Sequence, residues 1–267
     1  MNPRIIDHHT HTNYSPDASD KASMESYIET AKRLNKPGVM FTDHVDLDTP
    51  VELFQTIPEY YAYAKKVKTL NEDTFFVGLG VEIGYQPHLK NALHTFVNTH
   101  PFDYVICSIH IGDGLDFHNG DFFLDKTDQE GIIRYFELVK EAVTNFESYD
   151  VFGHIDYITR YLNGSKDYDF KRVESLIDDI LSTIIQNNKG IELNTSGLRY
   201  NLGFMHPKTD LLKRYKALGG TILTLGSDAH SVKDLTADFQ EAIDTLKTIG
   251  FTSITQFKNR TPYSISI

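Results

Sequence analysis

Short apolar runs alternate with stretches of helical periodicity along the chain, and this pattern constrains the fold more than any other feature. The runs that predict buried strands lie at 4–8, 38–42, 75–81, 103–109, 150–153, 190–194 and 221–225. The stretches that predict helices lie at 23–35, 57–71, 88–99, 128–147, 168–187, 208–218 and 232–249, with Asp128 opening one and Gly219-Gly220 closing another. Seven strand–helix units predict a single parallel α/β domain over residues 1–267. A seven-unit barrel is the preferred closure, and an open doubly wound sheet is the alternative.

Side chains that bind metals follow nearly every predicted strand. These candidates are His9, His11, His44, Glu82, His110, His154, Asp228 and His230, and Asp17 in the turn sequence SPDAS is a further one. The C-terminal ends of parallel strands meet at one rim, so we expect these side chains to converge. Imidazole and carboxylate bind Zn, Mn and Fe, and one ion accepts only about four to six ligands, so the set predicts a cluster of ions.

The other histidines carry weaker signals. His8 alternates with His9 along the first strand and is expected to face away from the site. His88, His94 and His100 fall on or beside a predicted helix, away from strand ends, which is typical of surface or packing residues.

Composition and charge limit the binding partners and the cell compartment that we expect for this protein. The net charge of −11, without a local basic patch, is unfavourable for nucleic-acid binding. Cys107 is the only cysteine and lies inside a predicted strand, where a core role is expected and no internal disulfide is possible. The N-terminus lacks a charged-then-apolar leader, and no apolar run approaches the roughly 18 residues of a membrane span, so we expect a cytoplasmic protein.

The motifs at the strand ends carry a resemblance. In order, DHHTHT, TDH, GVE, SIH, FGHID and GSDAH resemble the motifs of the polymerase and histidinol phosphatase (PHP) family, from Asp7 to His230. The resemblance implies an α/β fold, a distorted (β/α)7 barrel of parallel strands with a trinuclear metal site at the C-terminal strand ends. It assigns the first metal to His9, His11, Glu82 and Asp228, the second to Glu82, His110 and His154, and the third to Asp17, His44 and His230. Asp17 stands where many family members have histidine.

Within the family, GHIDYITRY and ELNTSGLRY look most like the stand-alone histidinol-phosphate phosphatases, which release L-histidinol in histidine biosynthesis. The resemblance assigns Arg160 and Arg199 to the substrate phosphate, and a planar guanidinium suits phosphate oxygens. Phe117 and His118 lie in the polar and aromatic loop 113–120, which either walls the pocket or is a solvated loop. His206 in FMHP has the same two interpretations.

The mechanism implied by this resemblance is hydrolysis of a phosphate monoester by a hydroxide shared between two metals that Glu82 bridges, about 3.5–4 Å apart. Two to three ions of Zn, Mn or Fe are expected. Asp228, His230 or a metal-bound water would protonate the leaving oxygen. The alternatives are a PHP phosphoesterase for another small monoester or a nucleotide and, outside enzymes, a metal-stabilised scaffold. The oligomeric state leaves no signal in the sequence.

Overall fold

Six parallel strands form a curled sheet at the centre of the molecule. The computed structural model describes residues 4–49 and 60–267. The strands lie in the order β1 (Gly38–Phe41), β3 (Phe76–Gly84), β4 (Tyr104–Ser108), β7 (Val151–Phe152), β8 (Gly190–Asn194) and β9 (Leu223–Gly226). A short strand β2 (His44–Asp46) pairs in parallel with the far end of β3, and β5 (Ile111–Gly112) and β6 (Leu115–Asp116) form a separate antiparallel pair. The predicted parallel barrel architecture is confirmed, and the open doubly wound sheet is wrong.

The predicted first strand does not form a regular ladder, although it lies between the two edge strands. The His8 amide donates to the Leu225 carbonyl (3.2 Å), and the Met40 amide donates to the Asp7 carbonyl (3.1 Å). The ladder is interrupted because the Thr10 amide donates to the Thr42 hydroxyl rather than to a backbone carbonyl. This segment therefore closes the curled sheet between β9 and β1 without counting as a strand.

Helices cover the outside of the sheet at the predicted places. They are α1 (Met24–Arg33), α2 (Tyr60–Thr69), α3 (Lys90–Thr99), α4 (Asp128–Asn145), α5 (Phe170–Gln186), α6 (Ser196–Arg199), α7 (Thr209–Ala217) and α8 (Phe239–Ile249). The short helix α6 was not predicted, and positions 57–59 of a predicted helix lie outside the described residues. The N-cap of α4 is Thr127, which forms a reciprocal capping box with Glu130.

The last predicted helix, 232–249, is shorter than expected. Only a 3-10 turn forms at Val232–Asp234, and α8 begins at Phe239. The reason is local, since Thr236 and Asp238 have positive φ angles (58° and 59°) and the Thr236 amide donates to the buried Asp7 carboxylate. A continuous helix is not compatible with this backbone.

A C-terminal hairpin, which was not predicted, covers the N-terminal end of the sheet. Its strands are β10 (Ser253–Lys258) and β11 (Thr261–Ser266), joined by Asn259 and Arg260, both with positive φ. The Phe257 amide donates to His8 Nε2 (3.1 Å), so His8 faces away from the strand-end rim, as predicted. Arg260 pairs with Asp150 beside the same end. No helix among residues 4–49 and 60–267 has the length and apolar character needed to cross a bilayer.

Candidate metal centre

The nine candidate ligands predicted from the sequence lie together at the C-terminal ends of the strands. The register of β2 against β3 sets His44 directly beside Glu82. The others follow the remaining strands or the closing segment. Seven of the nine are buried, and the other two, Asp17 and His230, line the cavity at the rim. The convergence follows from parallel strands, whose C-terminal ends share one edge.

The first predicted group surrounds the imidazoles of His9 and His11. His9 Nε2 lies 3.2 Å from Glu82 Oε2, and His11 Nε2 lies 3.3 Å from Asp228 Oδ1. The two imidazoles are neighbours, with ring centroids 5.0 Å apart. One ion between these atoms would contact two imidazoles and two carboxylates, a donor set that suits a transition metal.

The second group uses the other oxygen of Glu82. His154 Nε2 lies 2.7 Å and His110 Nε2 lies 3.3 Å from Glu82 Oε1, which also accepts a hydrogen bond from the Ser108 hydroxyl (2.7 Å). Oε2 of Glu82 lies near His9 and 3.1 Å from His44 Nδ1. Because its two oxygens face different histidines, this carboxylate occupies a position from which it could join two ion sites.

The third group gathers around Asp17. Asp17 Oδ2 lies 3.0 Å from His230 Nε2 and 3.6 Å from His44 Nε2. The His11 ring stacks on both His44 (4.2 Å) and His230 (4.1 Å), so the first and third groups are contiguous. The aspartate therefore lies at the place that the resemblance assigns to a third-metal ligand.

The donor atoms fit metal ions. His9 Nε2, His11 Nε2 and Glu82 Oε2 are buried and have no hydrogen-bond partner among the described residues. A buried polar atom left without a partner costs about 1–3 kcal/mol, and coordination to an ion would remove that cost. Several such atoms directed at one another indicate a metal centre rather than a set of separate core histidines.

The electrostatics of the site agree with this interpretation. Burial opposes the charge of Glu82, but His9, His110 and His44 hold the pKa of that carboxyl well below its usual range. Burial likewise opposes the charge of His9, yet Glu192, Glu82 and Asp228 raise the pKa of its imidazole well above the ordinary value. The carboxylates of the cluster therefore favour positive charge at this site, and metal binding there would displace protons from the ligands.

Three buried carboxylates behind the ligands were not predicted. Glu192 Oε1 lies 2.6 Å from His9 Nδ1, and Asp46 Oδ1 lies 2.8 Å from His110 Nδ1. Asp43 accepts hydrogen bonds from the Thr12 amide, the Ser15 hydroxyl and the Tyr63 hydroxyl. The available signal was a carboxylate inside or beside an otherwise apolar run, as in GIELN.

A cavity of about 370 Å³ opens beside the cluster. Part of its wall consists of donor residues, and the rest is formed by His118, Tyr157, Arg160, Tyr161 and Tyr200. The Arg160 guanidinium lies 3.9 Å from the ring centroid of Tyr200 and 4.8 Å from that of Tyr157, and it donates to Asp228 Oδ2 (3.2 Å) and to the Ser196 hydroxyl. Arg160 is thus a cation held rigidly at the edge of the cluster.

Three predicted substrate residues lie elsewhere. Arg199 donates to the carbonyls of Ser227 (2.6 Å) and Asp228 (2.9 Å) and does not line the cavity. Phe117 packs in the core against Phe122 and Tyr135, because it faces inward where its neighbour His118 faces the cavity. His206 is fully buried with Nδ1 2.6 Å from Asp156 Oδ1. Direct substrate contact by these three side chains does not agree with their positions.

The histidines expected on the surface are outside the cluster. His88 Nε2 lies 2.8 Å from an Asp48 oxygen on an exposed surface, and His94 Nδ1 lies 2.6 Å from the Ser148 hydroxyl. His100 is half-buried against Phe96 and Tyr60. Cys107 is fully buried in β4, and burial raises the pKa of its thiol, as fits a core residue.

Comparison with known proteins agrees with the site. The PHP domain model matches residues 7–196. The histidinol-phosphatase of Lactococcus lactis subsp. lactis is 30% identical over 260 residues, which cover 94% of each chain. The probable histidinol-phosphatase of Clostridium acetobutylicum is 30% identical over 243 residues, which cover 90% of this chain and 91% of the relative.

Solved structures show the same fold. The crystal structure of the histidinol phosphate phosphatase from Lactococcus lactis, complexed with Zn, L-histidinol and phosphate, superposes with a TM-score of 0.85 at 27% identity, over 97% of this chain and 99% of that chain. The putative histidinol phosphatase of Listeria monocytogenes superposes with a TM-score of 0.77 at 18% identity, over 88% of this chain and 99% of that chain. From these matches and the strand-end motifs, the chain belongs to the PHP family, as a hydrolase of the histidinol-phosphatase type.

Proposed function

We propose that this protein hydrolyses L-histidinol phosphate to L-histidinol and phosphate in the cavity beside Glu82 and Arg160. The observation that carries the proposal is that metal donors and the fixed guanidinium of Arg160, which donates to Asp228, line the same small cavity. Hydrolysis of a phosphate monoester needs a nucleophile that attacks the phosphorus and positive charge near the phosphoryl oxygens. Ions at the metal donors and the Arg160 guanidinium would supply both in this cavity. The Lactococcus relative, crystallised with Zn, L-histidinol and phosphate, supports the choice of substrate.

The ligand set is proposed to hold two to three ions of Zn, Mn or Fe in the three groups described above. When bound, such ions supply a water of lowered pKa as the nucleophile and positive charge for the phosphoryl oxygens. Glu82 would join two of the groups, with Ser108 fixing one of its oxygens by a 2.7 Å hydrogen bond. Asp17, rather than a histidine, would complete the third group.

The chain's own residues would bind and orient the phosphate. Arg160 is held by Asp228 and by two tyrosine rings. Because its guanidinium is already fixed, binding a phosphate would cost this side chain little conformational entropy. Arg199 would act indirectly, because its hydrogen bonds fix the backbone carbonyls of Ser227 and Asp228. Asp228 and His230 line the cavity and are the proposed residues for proton transfer to the leaving oxygen.

The organic part of the substrate would contact the aromatic wall. His118, Tyr161 and Tyr200 offer ring faces and polar edges to an imidazole and an amino group. The cavity of about 370 Å³ suits a small monoester. The acidic chain, at −11, makes a polynucleotide an unfavourable partner, and we infer a small-molecule enzyme of the cytoplasm.

Steady-state kinetics on the zinc-loaded protein test this proposal. L-histidinol phosphate, an aryl phosphate, a glycerol phosphate and a short oligonucleotide would be compared as substrates. We expect kcat/KM to be highest for L-histidinol phosphate and negligible for the oligonucleotide. Equal efficiency on all three monoesters would leave a phosphatase but remove the histidinol assignment, and no turnover with any metal would favour a scaffold.

A further inference from the structure

Asp46 sits at the junction of the second and third ligand groups. In the parallel pairing of β2 with β3, His44 is opposite Glu82 and Asp46 is opposite Gly84. Residues two apart on a strand project from the same face, so Asp46 shares the face of His44 and Glu82, one step nearer the rim. Its carboxylate is buried within the cluster.

Because Gly84 has no side chain, the Asp46 carboxylate can extend across β3. A Cβ atom at position 84 would lie 1.6 Å from Asp46 Oδ1, closer than any real contact. Since glycine has no side chain, Asp46 reaches over β3 to His110, which follows the next strand, and Asp46 Oδ1 lies 2.8 Å from His110 Nδ1. A side chain of any size at position 84 would separate these two residues.

This contact fixes the direction of the His110 ring. With Nδ1 facing Asp46, the other ring nitrogen, Nε2, lies 3.3 Å from Glu82 Oε1. The second oxygen of Asp46 lies 3.4 Å from His44 Nδ1 and has no hydrogen-bond partner among the described residues. One carboxylate therefore contacts a histidine from each of two ligand groups, while Nε2 of both histidines faces other donors.

We propose that Asp46 is a positioning residue of the metal centre, which orients His110, and on its other side His44, through the gap that Gly84 leaves. Carboxylates that hold the outer nitrogen of a ligating histidine set its tautomer and raise its donor strength, and their removal costs about 10–100-fold in metal affinity. This inference rests on the proposed metal-dependent function. It concerns the ions of the second and third ligand groups, whose histidines Asp46 contacts.

Zinc titration tests the proposal without relying on turnover. Zinc content and affinity would be measured for the wild type, Asp46→Asn and Asp46→Leu by competition with a chromophoric chelator. We expect about 10–100-fold weaker binding of one or two of the ions in Asp46→Leu, a smaller loss in Asp46→Asn, and an unaltered remaining ion at His9 and His11. Raised zinc concentrations should restore both the stoichiometry and kcat.

Gly84→Ala provides an independent variant that keeps the carboxylate. It should displace Asp46 and weaken the same ions, and the Gly84→Ala/Asp46→Leu double variant should lose little more than either single one. Gly78→Ala is the matched control, because it lies on the same strand and its Cβ would meet the flexible Met40 side chain and the edge of the Phe76 ring rather than Asp46 or a ligand. Its zinc affinity should equal that of the wild type.

The outcomes separate the two proposals. A wild type that binds no zinc would remove the metal-dependent function itself. Wild-type zinc affinity in Asp46→Leu, or in a folded Gly84→Ala variant if Asp46→Leu does not fold, would overturn the role of Asp46 alone. A crystal structure of the zinc-loaded protein with an Asp46 oxygen at about 2.0–2.2 Å from an ion would make Asp46 a ligand and also overturn the proposal.

Discussion

The Nδ1 atom of His9 lies 2.6 Å from Oε1 of Glu192, a residue 183 positions later in the chain. The second Glu192 oxygen accepts hydrogen bonds from the His154 amide (3.1 Å) and the Asn194 side chain (3.0 Å). Gly226 leaves room for this arrangement, because a Cβ there would lie 2.3 Å from Glu192 Oε1. Glu192 thus supports histidines from two ligand groups without lining the cavity itself.

Glu192→Gln should weaken metal binding by about 10–100-fold, because the amide keeps the shape of the side chain and loses the charge that holds His9. Competition with a zinc chelator measures this change. Glu147→Gln, at an exposed position just after the C-terminal end of α4, is the control and should bind zinc like the wild type. Equal zinc affinity in the two variants would contradict a supporting role for Glu192.

Metal removal should abolish turnover and lower the melting temperature. Ligands that bind only the folded state stabilise it by mass action, by about 4 kcal/mol at a thousand times the Kd. Protein purified without chelator should contain two to three ions of Zn, Mn or Fe per chain. Elemental analysis and thermal unfolding before and after chelation measure both effects, and a content of one ion or none would argue against a cluster.

Glu82→Gln should be among the most damaging single changes. Its two oxygens face different histidines, and glutamine offers one oxygen and removes a negative charge. The loss should appear in kcat more than in KM, since the group proposed to bridge the ions is altered rather than the substrate contacts. A variant that keeps most of the wild-type kcat at saturating zinc would exclude this role.

Two arginines that look alike in the sequence should behave differently. Arg160→Lys should cost about 2–4 kcal/mol in kcat/KM on every phosphomonoester, because lysine loses the planar fork beside the cluster. Arg199→Lys should instead reduce the free energy of unfolding by about 1.5–3 kcal/mol, since Arg199 donates two hydrogen bonds to buried backbone carbonyls. Kinetics and urea unfolding of both variants measure this contrast, and a larger kinetic loss in Arg199→Lys would reverse the assignment.

The loop 113–120 offers a pair of adjacent variants with opposite expectations. His118→Ala should lower kcat/KM for L-histidinol phosphate and leave an aryl phosphate nearly unchanged, because His118 lines the cavity beside Tyr161 and is not one of the proposed metal ligands. Phe117→Ala should cost about 3–5 kcal/mol of stability without a change in substrate preference, because Phe117 is a core residue. Equal losses on both substrates in His118→Ala would mean that the loop shapes the metal centre instead.

The order of strands and helices and the candidate ligands could be predicted from the sequence, because their signals are local. Apolar runs mark strands wherever they lie, and a histidine or carboxylate directly after such a run is carried to the rim by any parallel barrel. His44, Glu82 and His110 needed no knowledge of their partners to be recognised, whereas Asp17 lies in a turn sequence and was assigned to the third metal through the family resemblance. The C-terminal hairpin was not recognised, because its outer strand is mostly exposed and lacks a continuous apolar run.

Only the tertiary structure decided which residues support the ligands and which contact the cavity. Asp46 and Glu192 are carboxylates inside or beside buried runs, and their partners, His110 and His9, are set by strand register and by glycines on neighbouring strands. Phe117 and His118 are adjacent, yet one lies in the core and the other at the cavity. Local periodicity determines which segments become strands and helices, whereas the direction of a single side chain depends on packing against residues far away in the chain.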